Sequence, residues 1–266
     1  MLRFVKQANF AGLWDELVTE GRSAFTVADL QERTGVSLDA VYSAVKYAMD
    51  RRLLLSPVRG LYVVVPPEHR AAGVVPAVQF VDPMMRHLRV DYCVAYASAA
   101  QWWGAAHQAP RVFDVVASRH VLDRDLGSVR MRFHTSSRID TDAVRRVAGP
   151  RTMLNVASPS LTAVDLATRP RLGGGLSSVA TILAELPDLD GDQLAELAGR
   201  RTRADARRLG WLLELVRDDI SLDALHHVAQ PEQGRATLLA PGGPRQGSVD
   251  DRWGVIVNTA VEPDET

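Results

Sequence analysis

Between Ser37 and Arg59 the chain gathers side chains suited to reading and gripping a nucleic acid. Ser37, Asp39, Ala40 and Ser43 fall in the first turns of a predicted helix, the part of a groove-bound helix whose side chains meet base edges. Lys46, Arg51 and Arg52 follow at spacings suited to phosphates, which set register and affinity. Arg59 sits at the tip of a predicted hairpin, and arginine favours the narrow, negative channel of a minor groove. A plainer alternative stays open: a fold used only for protein contacts, with a solvated charged face and Arg51 and Arg52 paired to Asp50. Acidic residues roughly balance basic ones across the N-terminal domain as a whole, which weakens the electrostatic case.

Other candidates for chemistry are weaker. Asp114, Asp123 and Asp125 suggest a metal-dependent nucleotidyl-transfer site, but no glycine-serine loop with a following paired-aspartate strand precedes them, so they read as turns and strand ends. The run "RLGGGLSSV", Arg171 to Val179, has the glycines to cradle a phosphate at a helix start. It lacks the ending of a P-loop and follows no clear strand, so it reads as a flexible loop. His226 and His227 have no carboxylate or cysteine cluster at ligand spacing beside them and read as a surface or partly packed pair. Trp102 and Trp103 have rings that stack on bases elsewhere, but in an alanine-rich segment at least one belongs to a core. Cys93 keeps apolar company and reads as packing, not nucleophile. The expectation is no catalytic set, no metal and no cofactor.

The elements that must position the first group are legible. Phe10 to Val18 reads as a helix with Phe10, Leu13, Trp14, Leu17 and Val18 at helical spacing, stopped at Gly21. "AFT" is strand-like; Val27 to Thr34 is a second helix; Gly35 supplies a tight turn; Ser37 caps a third helix. That helix places Leu38, Val41, Val45, Ala48 and Met49 on an inward stripe, with Asp39, Ser43, Lys46 and Asp50 on its other faces. "RRLLLS" and "GLYVVV" then flank a turn from Ser56 to Gly60, and "PPEHR" is a stiff exit. Helix, helix, glycine turn, helix, hairpin is the order of a winged helix-turn-helix. The fold class expected is α+β: a winged helix-turn-helix over residues 1–67, then a larger, helix-rich mixed α/β domain over 68–266. In the latter, "RVFDVVAS" and "SVRMRFH" read as strands, "VASPSLTAVDLATRP" enters a helix capped by Ser160, and helices follow from Leu176. "RWGVIVN" reads as a strand closing the sheet.

The 266 residues fit two domains, and the composition is that of an ordinary globular chain. One cysteine excludes an internal disulfide, and no apolar run is long enough to span a bilayer. The opening residues lack the pattern of a signal peptide, and a cytoplasmic setting is expected. Net charge is −1, yet arginines crowd Arg111 to Arg151 while the tail "VEPDET" is acidic, so a neutral total can hide a basic face.

Taken in order, "RGLYVV", "YASAAQWWGAAH", "SPSLTAVDLATRP" with "GGGLSSVATILAEL", "RRLGWLLE" and "RWGVIVN" resemble the AbiEi family, the antitoxins and transcriptional repressors of AbiE-type (type IV) toxin–antitoxin systems. The departure lies in Arg111 to Arg151, which matches in little beyond strand pattern. The resemblance implies a role in phage defence and autoregulation: the protein binds inverted repeats in its own double-stranded promoter DNA. Its C-terminal domain is implied to counteract a nucleotidyltransferase-like toxin, in many members without a stable complex.

Beside that resemblance, Arg111, Arg119, Arg130 and Arg132 are the residues expected to form an antitoxin surface, with Arg130 and Arg132 outward on one strand face. Two rival readings remain. A ligand-responsive regulator would show a deep pocket with convergent polar groups. A nucleic-acid-modifying enzyme would show close carboxylates with perturbed pKa values.

Overall fold

The computed structural model describes residues 10, 12–106, 110–137, 139–232 and 234–264. The opening residues read above for a signal peptide, and His107 at the end of "YASAAQWWGAAH", lie outside the described residues. The chain divides into two compact units: residues 1–92, 116–139 and 146–155 form one, and residues 93–115, 140–145 and 156–266 form the other.

The first unit opens with α1 (Leu13–Thr19), β1 (Ala24–Phe25), α2 (Val27–Thr34), α3 (Leu38–Asp50), β2 (Leu54–Val58) and β3 (Leu61–Val64). α2 starts at a capping box, in which Thr26 and Asp29 each satisfy the other's backbone N–H. It stops at Gly35, whose left-handed φ of 66° lets the chain turn into α3. Ser37 then caps α3, its hydroxyl accepting from the Ala40 amide at 3.3 Å. The strands form an antiparallel sheet of order β1-β3-β2. Leu13, Trp14, Leu17, Phe25, Leu30, Val41, Val45, Ala48, Leu54 and Val64 make one core beneath it. Phe10, Trp14, Phe25 and Tyr62 stack through it at centroid spacings of 6.3, 5.9 and 5.9 Å.

Two expectations are corrected here. Leu38 is 47% exposed instead of inward, because at the first position of α3 it lies at the edge of the stripe formed by Val41, Val45 and Ala48. The hairpin turn is shorter than read: β2 runs on through Pro57 to Val58, which pairs with Leu61, leaving Arg59 and Gly60 as the loop. A bulge between Leu55 and Val58 absorbs the proline, and the Ser56 hydroxyl lies 3.0 Å from the carbonyl oxygens of Val58 and Leu61. Gly60 supplies the positive φ of 86°.

Beyond the hairpin come α4 (Val81–Leu88), β4 (Tyr92–Val94), α5 (Tyr96–Trp102), β5 (Phe113–Ala117), β6 (Arg124–Leu126), β7 (Val129–Thr135), β8 (Val144–Ala148) and β9 (Met153–Ala157). These strands form a sheet of order β6-β7-β5-β4-β9-β8. Helices follow: α6 (Pro159–Thr168), α7 (Leu176–Glu185), α8 (Gly191–Gly199), α9 (Arg203–Val216) and α10 (Asp223–Ala229). β10 (Thr237–Leu238), β11 (Ser248–Asp250) and β12 (Val255–Val257) close the chain.

Two further expectations are corrected. The cap of α6 is Ser158, which accepts from the Leu161 amide at 3.1 Å, while Ser160 lies inside the helix and is buried. The helix starts at Pro159, a residue whose fixed φ suits the first helical position. "RWGVIVN" supplies β12 to a separate small sheet of order β10-β12-β11 and does not close the larger one. At three residues β12 is too short to bridge more than its own neighbours.

Candidate functional site

The outward side of α3 is the first candidate. Val41, Val45 and Ala48 are buried, which turns Asp39, Ser43, Lys46 and Asp50 to solvent. Ser37 is exposed but its hydroxyl is engaged as the helix cap, and Ala40 is half-buried. Tyr42 and Tyr47, not singled out in the sequence, are 55% and 56% exposed. Their signal was available: both fall outside the apolar stripe on a helical wheel. The Arg51 guanidinium sits over the Tyr47 ring at 4.7 Å from its centroid, a cation–π contact that steadies it. Arg52 takes a left-handed φ of 57° and donates to the Ala71 carbonyl at 3.1 Å.

Arg59 is exposed at the hairpin tip. The hairpin is held from outside: Arg124 Nε donates to the Pro57 carbonyl at 3.0 Å, and His87 Nε2 lies 3.1 Å from the Arg59 carbonyl, a bond made with Nε2 protonated. The tip therefore has a defined position, set by residues far along the chain.

Of the arginines expected to form an antitoxin surface, Arg119, Arg130 and Arg132 lie in the first unit and Arg111 in the second. All are exposed. Arg130 and Arg132 share the outward face of β7, with Met131 and Phe133 buried on the other. Acidic neighbours temper that face: Arg130 lies 3.7 Å from Asp125, and Arg132 pairs with Asp123 at 2.6 Å. Burial raises the cost of charging Asp123, but the Phe133 amide and Arg132 outweigh it and hold the carboxyl below its usual range. Arg119 donates to the Leu88 carbonyl.

In the second unit, charged groups converge on a partly buried network. Arg201 donates to Asp140 at 2.7 Å and to Asp165 at 3.1 Å; Arg200 reaches Asp140 at 2.9 Å, Asp142 at 2.6 Å and Glu196 at 2.6 Å. Burial pushes Asp165 up to about 6, with Arg201 pulling the other way and Asp140 adding to the rise. Asp140 itself is penalised by burial, but its two arginines hold it below the usual carboxylate range. Burial also pushes the Tyr96 phenol up to about 12, and its oxygen accepts from Arg169 at 3.2 Å. Cys93 is buried and its thiol pushed up to about 12 by that burial, which keeps it protonated and packed. Asp165 meets the carboxylate test set for an enzyme only in part, because every acid near it is engaged by arginine.

Several of the segments that carried the resemblance have structural work in this unit. Arg207 donates to the carbonyls of Ala229, Arg235 and Gln230, and Arg208 to those of Leu239, Ala167 and Leu238, so both guanidinium groups bind strand and helix ends. A Cβ on Gly210 would meet the Trp253 ring at 2.1 Å, and the Trp253 indole donates to Glu214; "RRLGWLLE" and "RWGVIVN" are thus two halves of one joint. The glycine run also packs: a Cβ on Gly173 would meet Val179 at 2.6 Å, and Gly174 and Gly175 have φ of 90° and 108°. His226 lies 2.9 Å from the Arg252 carbonyl and edge-on to Trp253. Trp103 donates to the Ala157 carbonyl at 2.8 Å. Among the described residues no group of His, Cys, Asp and Glu has the arrangement of a metal site, and no helix is long and apolar enough to cross a membrane.

Compared with known proteins, the middle of the chain is similar to an antitoxin domain, which supports an antitoxin role. Residues 92–215 match the family described as the AbiEi antitoxin C-terminal domain, so this part of the chain is similar to that family. A crystal structure of the RV2827C protein from Mycobacterium tuberculosis is similar in fold, with a TM-score of 0.68 at 18% identity over 93% of this chain and 90% of that one. No curated protein matches the chain.

Proposed function

We propose that this protein is an antitoxin and the autorepressor of its operon: a winged helix-turn-helix over residues 1–67 binds inverted repeats in its own promoter, and the domain over 68–266 counteracts a nucleotidyltransferase-like toxin. In this reading the protein is cytoplasmic, turns over no substrate itself, and takes no cofactor. The observation that carries the DNA half is the solvent-facing side of α3, with Asp39, Ser43 and Lys46, next to a hairpin tipped by Arg59. A helix of this size fits the major groove, and an arginine-tipped hairpin suits the neighbouring minor groove or phosphates. Lys46 and Arg51 lie where backbone phosphates set register. The antitoxin half is supported by the family match of residues 92–215 and by the exposed arginines of β7.

The test is a gel shift with full-length protein and the DNA upstream of its own coding sequence, at low salt. A retarded band that outcompetes unrelated DNA is expected. A chain that ignores that fragment sinks the repressor reading.

A further inference from the structure

The outward side of α3 is not purely polar. Leu38 and Tyr42 are 47% and 55% exposed, and they sit one turn apart on the same flank. Leu38 is the first residue of the helix, so both lie in the turns that lead into a groove. Tyr47 is on the other flank and lies under Arg51, so it does not join them. Two large apolar side chains left in water at adjacent positions are an unfavourable arrangement that a bound surface would relieve.

We propose that Leu38 and Tyr42 read thymine methyl groups in the major groove, so that the preferred DNA carries thymines beneath the start of α3. The inference rests on the DNA-binding reading above. Base edges in the major groove offer hydrogen-bond donors and acceptors with one exception, the C5-methyl of thymine, which is the apolar partner such a pair requires. The exposed cations nearby, Lys46 and Arg51 on the same helix and Arg59 on the hairpin, have the charge to meet phosphates on either side of that groove. Asp39 and Ser43, also exposed, are left to hydrogen-bond to neighbouring bases.

The experiment is a competition on full-length protein between two forms of the upstream fragment, one made with thymidine and one with deoxyuridine throughout. Uracil keeps every hydrogen-bonding group of thymine and lacks only the methyl. The thymine form should bind about fourfold more tightly for each methyl contacted. The double variant Leu38→Ala, Tyr42→Ala, checked for an unchanged urea midpoint, should bind both forms equally. Lys46→Ala should weaken both and keep their ratio. Equal binding of the two forms by the unaltered protein, or a preference that survives in the double variant, overturns the inference while leaving the DNA reading standing. Failure to bind either form sinks both. Self-association that disappears in the double variant would assign the patch to a second copy of the chain and overturn the inference as well.

Discussion

Gly210 is a residue at which packing is unforgiving, since a Cβ there would lie 2.1 Å from the ring of Trp253. Gly210→Ala should destabilise the protein by about 1–3 kcal/mol through overpacking, read as a lower urea midpoint. Combined with Trp253→Leu it should cost less than the two single changes together, because the pair shares one space. Asp165 makes a prediction of opposite character. Its pKa is pushed up to about 6, so the folded state keeps a proton that the unfolded chain has lost. The stabilisation this provides is complete below the unfolded value near 3.8 and disappears as pH rises through about 6. A shift of roughly two units corresponds to about 3 kcal/mol. Asp165→Asn does not titrate, so its stability relative to the parent should improve by up to about 3 kcal/mol between pH 4 and pH 7. Parallel urea titrations measure this; a constant difference across that range would show that Asp165 does not titrate as described. Asp142, held near 2 by the Arg200 hydrogen bonds, acts in the reverse direction: its contribution is present above the ordinary aspartate value and lost as pH falls through about 2.

At the scale of elements, α3 and the hairpin are the parts expected to engage DNA. Lys46→Ala and Arg59→Ala should each weaken promoter binding, Lys46→Ala by a similar factor on all sequences. For a single phosphate contact, the slope of log affinity against log salt should fall by about one. Ser43→Ala should act differently, costing affinity on the preferred sequence while sparing unrelated DNA. Binding isotherms at several salt concentrations separate the two patterns; identical behaviour of Lys46→Ala and Ser43→Ala would remove the assigned roles. These elements were the most readable part of the chain. The turn out of α2 and the start of α3 follow from Gly35 and Ser37, whose capping geometry is local, while the Thr26 capping box that starts α2 was missed in the strand-like "AFT". The hairpin bulge was not readable, because it depends on how β2 pairs with β3, a register that Pro57 only hints at.

For the whole molecule, repression and antitoxicity should be separable. Because Arg124 and His87 hold the hairpin, we propose testing this by substitution in the intact chain. Lys46→Ala with Arg59→Ala should abolish promoter repression and still rescue cells expressing the proposed toxin partner. Arg130→Glu with Arg132→Glu should retain promoter binding and lose rescue. Their ion pairs are exposed, so stability should change by no more than about 1 kcal/mol. Matched-expression rescue assays decide this, and loss of rescue in the first variant would refute the division of labour.

What the sequence determined by itself was whatever rests on near neighbours along the chain. That includes the Ser37 cap of α3, the inward placing of Val41, Val45 and Ala48, and the alternation that turns Arg130 and Arg132 outward on β7. It also includes the ordered motifs that resemble the AbiEi family. What only the tertiary structure decided depends on residues far apart in the chain. Arg207 and Arg208 clamp carbonyls more than twenty residues away, and Gly210 accepts Trp253. Asp165 becomes hard to ionise only when Asp140 and Arg201 close over it. The physical reason is the same in each case: capping and periodicity are satisfied within a turn or two of backbone, whereas burial, close packing and charge pairing exist only after distant segments meet.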